Sequence, residues 1–329
     1  MKVLITGGAG YIGSTVASAC LDAGHQVVLL DDFSTGRREF VLDRPLYEGS
    51  IGDRELLDQV FTEQQIDAVV HCAAKIVVPE SMADPLGYYQ NNVSRTITLL
   101  QAMNDHGVER ILFSSSASIY ATNENFQVTE ESALAPGSPY ATTKFMVEFI
   151  LRDTAHATDI RVMSLRYFNP IGADPQFRTG LQTAKPTHVL GKMIEAWQDK
   201  ATFTVTGVDW PTRDGSGIRD YIHVWDLALA HVAALEHFDE ATAEEPYQVV
   251  NLGTGKGATV KELVQAFEAA TGEPLAWVEG PARPGDVAGA YTVSTKARDL
   301  LGWQARFTEA DGIRDALEWL PRRKELLGY

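Results

Sequence analysis

Lys2-Val3-Leu4-Ile5-Thr6 runs directly into Gly7-Gly8-Ala9-Gly10-Tyr11-Ile12-Gly13-Ser14, and this junction decides the fold. The apolar run reads as a buried strand. Glycines at 7, 10 and 13 mark a tight turn into a helix that the pattern carries to about Ala23. At such a turn, backbone N–H groups at a helix N-terminus approach a pyrophosphate closely. A second strand, Gln26 to Leu30, ends at Asp31, 18 residues after Gly13. A carboxylate there can accept from both adenosine ribose hydroxyls and repels a 2′-phosphate. The opening therefore predicts dinucleotide binding, and NAD before NADP. A glycine-rich turn says little alone; after a strand, before a helix and with the acid in place, it is specific.

Outward from this turn, strand-like runs at 2–6, 26–30, 67–71, 110–114 and 160–165 alternate with helical patterns at 11–23, 54–64, 84–106 and 139–155. Such alternation predicts an α/β fold, a doubly wound parallel sheet of Rossmann type. Ligands of these sheets lie at the C-terminal strand ends. Those ends carry Gly7, Asp31, Ala73-Ala74, Ser114-Ser115-Ser116 and Tyr167-Phe168-Asn169. After Pro170 the alternation stops, and Gly, Pro and Thr fill loops at 172–187 and 206–217. A helix at 188–199, another at 224–238, a strand at 247–252 and helices at 259–271 and 308–320 follow. The expected division is a cofactor-binding domain over 1–170, rejoined by a strand and helix from about 220–252, and a smaller α/β substrate lobe over 171–329.

Composition narrows the partners. The 329 residues are 45% hydrophobic and 22% charged, which predicts a soluble globular protein. The net charge of −16 opposes nucleic acid or an anionic membrane as partner, so an anionic ligand must be drawn in by local cations. Cys20 and Cys72 both fall in apolar stretches. They exclude a disulfide scaffold, and no metal cluster is expected. The apolar opening is short and broken by glycine, so no signal peptide is expected, and no run approaches membrane-spanning length. A reducing cytoplasm is the expected location.

Tyr140 and Lys144 stand four apart in a helix introduced by Pro136-Gly137-Ser138-Pro139, which puts both on one face. Ionising a free tyrosine, pKa about 10, near pH 7 costs roughly 4 kcal/mol. A neighbouring ammonium and an oxidised nicotinamide ring would supply much of that. The pair thus makes a general base for an alcohol oxidised by hydride transfer. Ser116, at a strand end, is placed to hydrogen-bond the same hydroxyl. The same spacing also suits a solvated helix pair; a dinucleotide turn and a serine-tipped strand upstream favour catalysis.

These residues resemble the extended short-chain dehydrogenase/reductase superfamily, through the glycine turn, Ser114-Ser115-Ser116-Ala117-Ser118-Ile119-Tyr120 and Tyr140-x-x-x-Lys144. Further segments resemble its UDP-glucose 4-epimerase family. They are Pro85-Leu86-x-Tyr88-Tyr89-x-Asn91-Asn92-Val93, Leu165-Arg166-Tyr167-Phe168-Asn169-Pro170 and Pro211-Thr212-x-Asp214-Gly215-x-Gly217-x-Arg219-Asp220-Tyr221-Ile222-His223-Val224. Asn251-Leu252-Gly253 and Arg283-x-Gly285-Asp286 complete the set. The likeness spans nearly the whole chain.

The resemblance implies an NAD site of Gly7, Gly10, Tyr11, Ile12, Gly13, Asp31, Asp32, Phe33, Ser34, Ser50, Ile51, Ala73, Ala74, Lys75, Asn91, Ser114, Tyr140, Lys144 and Phe168. It implies Tyr140 as base with Ser116 as its partner. Asn169, Arg219 and Arg283 would grip a UDP pyrophosphate and Asp286 the uridine ribose, with His188, Val189, Thr204, Thr206 and Ala290 completing the substrate site. The implied reaction interconverts UDP-galactose and UDP-glucose: oxidation at C4, turnover of the 4-keto sugar about its phosphate link, and reduction. A small residue at Ala290 would extend it to UDP-GlcNAc and UDP-GalNAc; a slip of one residue would put Tyr291 there instead. A homodimer is implied, with the helix at 84–106 as a candidate contact. The alternatives are a nucleotide-sugar 4,6-dehydratase or a non-catalytic NAD-binding protein. The former typically carries Asp-Glu beside the serine, where this chain has Ala117-Ser118.

Several positions depart from that pattern. Ser50 stands where the family has an aspartate for the adenine amino group, and Asp53 is open as its substitute. Ile76 falls where many members have a lysine, leaving Lys75 beside it. Thr206 replaces an aromatic that packs uracil, and His188 replaces an asparagine, with a core or surface histidine as the alternative. For Arg219 the alternative is a salt bridge to Asp214 or Asp220, and for Arg283 an exposed loop. His71 and His223 read as structural.

Overall fold

The computed structural model describes residues 1–283 and 286–329. The first half holds β1 (Lys2–Thr6), α1 (Tyr11–Asp22), β2 (Gln26–Asp31), β3 (Leu46–Glu48), α2 (Arg54–Gln64), β4 (Ala68–His71), α3 (Val78–Ala83), α4 (Pro85–Tyr89), α5 (Arg95–Asp105), β5 (Arg110–Ser116), β6 (Gln127–Val128) and α6 (Pro139–Ala157). Next come β7 (Arg161–Tyr167), β8 (Asn169–Ile171), α7 (Val189–Gln198), β9 (Phe203–Thr206), β10 (Ile218–His223), α8 (Val224–Glu236), α9 (Phe238–Ala241) and β11 (Tyr247–Leu252). The chain closes with β12 (Gly257–Thr259), α10 (Val260–Thr271), β13 (Trp277–Gly280), β14 (Gly289–Thr292), α11 (Lys296–Leu301) and α12 (Glu309–Leu327).

Seven parallel strands form the main sheet in the order β11-β7-β5-β4-β1-β2-β3. Its direction reverses at β1, which leaves a crevice at the C-terminal strand ends. Helices bury both faces, so the central strands are continuous apolar runs such as Val27-Val28-Leu29-Leu30 rather than alternating ones. One face packs Val16, Cys20, Leu227 and Phe238 from α1, α8 and α9. The other packs Leu57, Leu99 and Leu151 from α2, α5 and α6. From the second half, β11 pairs with β7 from Tyr247↔Val162 to Leu252↔Tyr167, so part of it returns to this sheet. A second sheet runs β12-β10-β14-β6, with β8 also on β10, and β9 pairs with β13.

Two readings change. The helical track at 84–106 is not one helix. Asp84 caps α4, accepting from the Gly87 N–H at 3.0 Å, and a wide π-type turn over Gln90–Ser94 separates α4 from α5. That turn aims Asn92 inward, where it accepts from Lys75 N at 2.9 Å and donates to Lys75 O (2.9 Å) and Thr143 Oγ1 (3.0 Å). Widened turns of this kind re-aim a side chain at the cost of regular helix. The short strands β3, β6, β8, β9, β10, β12, β13 and β14 were also absent from the sequence pattern, because pieces of two to six residues among glycines carry no periodicity. No helix among the described residues is long and apolar enough to cross a membrane.

Candidate active site

The glycine turn fits a dinucleotide. Gly7 has φ +70°, and a Cβ on it would stand 2.8 Å from Ala73 N at the end of β4. A Cβ on Gly13 would collide with the Gly7 carbonyl. Gly10 caps α1 with no side-chain acceptor, so the first-turn N–H groups of Tyr11 and Ile12 face the crevice without a side-chain partner. Tyr11 turns away, donating its hydroxyl to Gly172 O at 2.7 Å.

Asp31 is buried at the tip of β2. Its Oδ2 accepts from Ala9 N at 2.9 Å and its Oδ1 from Phe33 N at 2.8 Å. Burial raises its pKa and these two bonds oppose the rise. Asp32 is exposed and accepts from Ser34 N and Ser34 Oγ. Ile51 is buried beneath this corner. Ser50 Oγ accepts from Gly52 N at 3.0 Å, and Asp53 Oδ1 accepts from Leu56 N as the cap of α2. Asp53 is thus committed to its helix. Lys75 turns out to Asp84, 3.8 Å away, and lies over the Tyr88 ring. Ala73 and Ala74 follow β4, and the Ala73 N–H reaches Thr6 Oγ1.

Pro139 opens α6 and Ser138 caps it, accepting from Ala141 N at 3.2 Å, which fixes where Tyr140 emerges. Burial raises the Tyr140 pKa, and a hydrogen bond with Ser116 pulls it back. Ser116 Oγ sits 2.9 Å from Ser118 Oγ and accepts from Ser118 N. Lys144 is buried, and its Nζ donates to Ser114 O at 2.6 Å and lies over the Phe113 ring. Burial lowers its pKa to about 8. The sequence places Lys144 against the phenol; here the ammonium is tied to the β5 backbone. Ser114 Oγ donates to Cys72 Sγ at 3.1 Å.

Strand pairing brings the distant substrate candidates together. Arg219 pairs with Ala290 across β10 and β14, and Tyr221 pairs with Asn169 across β10 and β8. Paired residues share a face, and alternation puts Arg219 and Tyr221 on the same one. Asn169, Tyr221, Arg219 and Ala290 therefore line one face. Tyr291 lies on the opposite face, packed on Gly257, and its hydroxyl accepts from Gln127 Nε2. Ala290 and Tyr291 thus point to opposite faces of β14. Tyr221 was missed: its hydroxyl is buried with no partner, and burial raises its pKa. The signal was available in its spacing of two from Arg219.

Arg219 makes no salt bridge among the described residues; its Nη1 donates to the carbonyls of Ile218 and Ala288 and its Nη2 to that of Val287. Burial lowers its pKa, and the nearby Arg283 adds to this. Arg283 and Asp286 pair at 3.0 Å; Gly285 of the same motif lies outside the described residues. His188 caps α7, its Nδ1 accepting from Gly191 N at 3.2 Å. Its proton then sits on Nε2, which is buried without a partner beside a cavity of about 260 Å³. Burial lowers its pKa to about 4. Val189 opens α7, and Thr204 and Thr206 share the outer face of β9 opposite buried Phe203 and Val205. Phe168, between β7 and β8, is half-buried. His71 bonds Thr6 and Thr96, and His223 bonds Asp315, so both are core groups.

Sheet and glycine turn define a dinucleotide-binding α/β protein. The chain belongs to the NAD dependent epimerase/dehydratase family, whose model matches residues 3–253. It is 43% identical to the UDP-glucose 4-epimerase of Azospirillum brasilense over 321 residues, 97% of this chain and 91% of that one. A solved UDP-glucose-4-epimerase from Stenotrophomonas maltophila with bound NAD and formylated UDP-arabinopyranose superposes with a TM-score of 0.94 at 37% identity, covering 99% of both chains. The UDP-Glc/GlcNAc 4-epimerase of Campylobacter jejuni superposes with a TM-score of 0.83 at 34% identity, covering 98% of this chain and 99% of that one.

Proposed function

We propose that the protein is a UDP-hexose 4-epimerase that interconverts UDP-galactose and UDP-glucose with NAD as its cofactor. The observation that carries this reading is a half-buried Tyr140 next to Ser116, at the strand ends that also carry the dinucleotide turn. When bound, NAD supplies the hydride acceptor and donor at C4, and it is regenerated each cycle. Gly7, Gly10, Gly13 and the uncapped start of α1 hold the pyrophosphate, and Asp31 and Asp32 the adenosine ribose. Lys144 spends one of its three donors on Ser114 O, leaving two for the nicotinamide ribose. Tyr140 takes the C4-hydroxyl proton while Ser116 holds that hydroxyl in line. Asn169, Arg219, Arg283 and Tyr221 grip the UDP moiety, so the 4-keto sugar can turn about its phosphate link and recover the proton from Tyr140. Arginine suits this task because its fork matches phosphate and supplies charge that a chain of net −16 lacks.

Residues 1–170 with the returning 220–252 segment act as the cofactor domain and 171–329 as the substrate lobe. Ala290 on the Arg219 face leaves room for a 2-acetamido group, which supports activity on UDP-GlcNAc and UDP-GalNAc as well. Exposed Met82, Leu86, Met146 and Phe149 on α3, α4 and α6 form the face we assign to a homodimer. Free Cys20 and Cys72 fit a reducing cytoplasm. Incubation with UDP-galactose decides the function. UDP-glucose supports it, a 4-keto-6-deoxy product makes the protein a dehydratase, and no turnover makes it a non-catalytic NAD-binding protein.

A further inference from the structure

Arg95 opens α5 where three loops meet. Its stem lies on Gly52: a Cβ there would stand 2.8 Å from Arg95 Cγ. Its Nη1 donates to Asn91 Oδ1 at 2.9 Å and lies 3.7 Å from Asp32 Oδ2. The side chain is 36% exposed, so its remaining donors are open to a ligand. Asp32 follows β2, Gly52 follows β3, and Asn91 precedes α5. Arg95 therefore spans the corner just beyond the Asp31–Asp32 pair. If that pair meets the adenosine ribose, the base lies in this corner.

Each acceptor side chain of this corner already takes at least one hydrogen bond from the protein. Ser50 Oγ takes the Gly52 N–H, Asp53 caps α2, Asp32 Oδ1 takes Ser34, and Asn91 Oδ1 takes Arg95 itself. A guanidinium offers donors and no acceptor. Adenine presents ring nitrogens as acceptors and its 6-amino group as a donor. We propose that Arg95 is a cofactor-binding residue that reads the adenine base from its acceptor side, so that recognition does not depend on the 6-amino group. This rests on the reading that the crevice takes NAD. A consequence is specific to this arrangement: a 6-oxo base, which replaces a donor with an acceptor, is tolerated.

The test is isothermal titration of the full chain, freed of endogenous cofactor, with NAD, NADP and nicotinamide hypoxanthine dinucleotide. Wild type should bind the hypoxanthine analogue within about threefold of NAD, whereas a site built on an acceptor for the amino group would lose about tenfold or more. Arg95→Ala should weaken both NAD and the analogue by about tenfold. Arg95→Lys should recover part of the loss, since charge returns without the planar fork. Should Arg95→Ala fail to fold, Arg95→Gln, which keeps a donor for Asn91 and drops the charge, carries the same expectation. Three results overturn the proposal: unchanged NAD affinity in a folded Arg95→Ala or Arg95→Gln protein, an analogue bound more than about tenfold weaker than NAD, or tighter binding of NADP than NAD. A wild type that binds no dinucleotide at all overturns the parent reading instead.

Discussion

Ala290→Tyr is the most demanding substitution, because the structure fixes where the new ring must go. Ala290 pairs with Arg219, and β14 cannot slide. Gly289 (φ +119°) has no room for a Cβ beneath Ile218, and Tyr291 is packed on Gly257 on the other face. A tyrosine at 290 therefore projects beside Arg219, into the space assigned to the sugar. Overpacking a fixed site costs about 1–3 kcal/mol. At 1.36 kcal/mol per decade that is about five- to 150-fold in the specificity constant. The loss should fall on UDP-GalNAc and UDP-GlcNAc, while UDP-galactose stays within about threefold of wild type. The assay is the ratio of kcat/KM for UDP-galactose and UDP-GalNAc in both proteins. Wild type should show a ratio below roughly a thousand, about 4 kcal/mol. A larger wild-type ratio, or one that Ala290→Tyr leaves unchanged, would refute Ala290 as the gate.

Other expectations follow from the same geometry. Tyr140→Phe should keep the fold and the cofactor but lose about two to four decades of turnover, and near-normal turnover would remove Tyr140 as the base. Apo protein should be restored by NAD far better than by NADP, since two carboxylates flank the adenosine ribose; equal reconstitution contradicts this. Burial holds the Lys144 pKa at about 8, so its ammonium is charged below that pH and neutral above. Cofactor affinity of the apo protein should therefore fall as pH rises through 8, and a flat profile from neutral to strongly alkaline pH would show that this charge is not used. Burial depresses His188 to about 4, so it is neutral at every pH above that, and KM for the UDP-sugar should show no inflection near the ordinary histidine value. An inflection there that vanishes in His188→Asn would show the imidazole titrating in contact with substrate.

The cofactor side was written locally in the sequence. A glycine turn between a strand and a helix, an acid ending the next strand and Tyr140 four residues before Lys144 are all short-range relations. The sheet was legible too, because strands buried on both faces must be continuous apolar runs. What tertiary structure decided is register and partnership. Asn169, Tyr221, Arg219 and Ala290 reach one face through pairing of residues 52 and 71 positions apart, and a slip of one residue would turn each of them to the other face. Counting along the chain therefore left Ala290 and Tyr291 unresolved, and the pairing separates them. The partner of Lys144 was settled the same way: helix spacing put it on the face of Tyr140, but its ammonium was captured by the Ser114 carbonyl of a neighbouring strand. Asn92 interrupts an apparently continuous helix because its amide meets the Lys75 backbone N–H and C=O and the buried Thr143 hydroxyl, a demand that arises across the fold and leaves no mark in the local pattern.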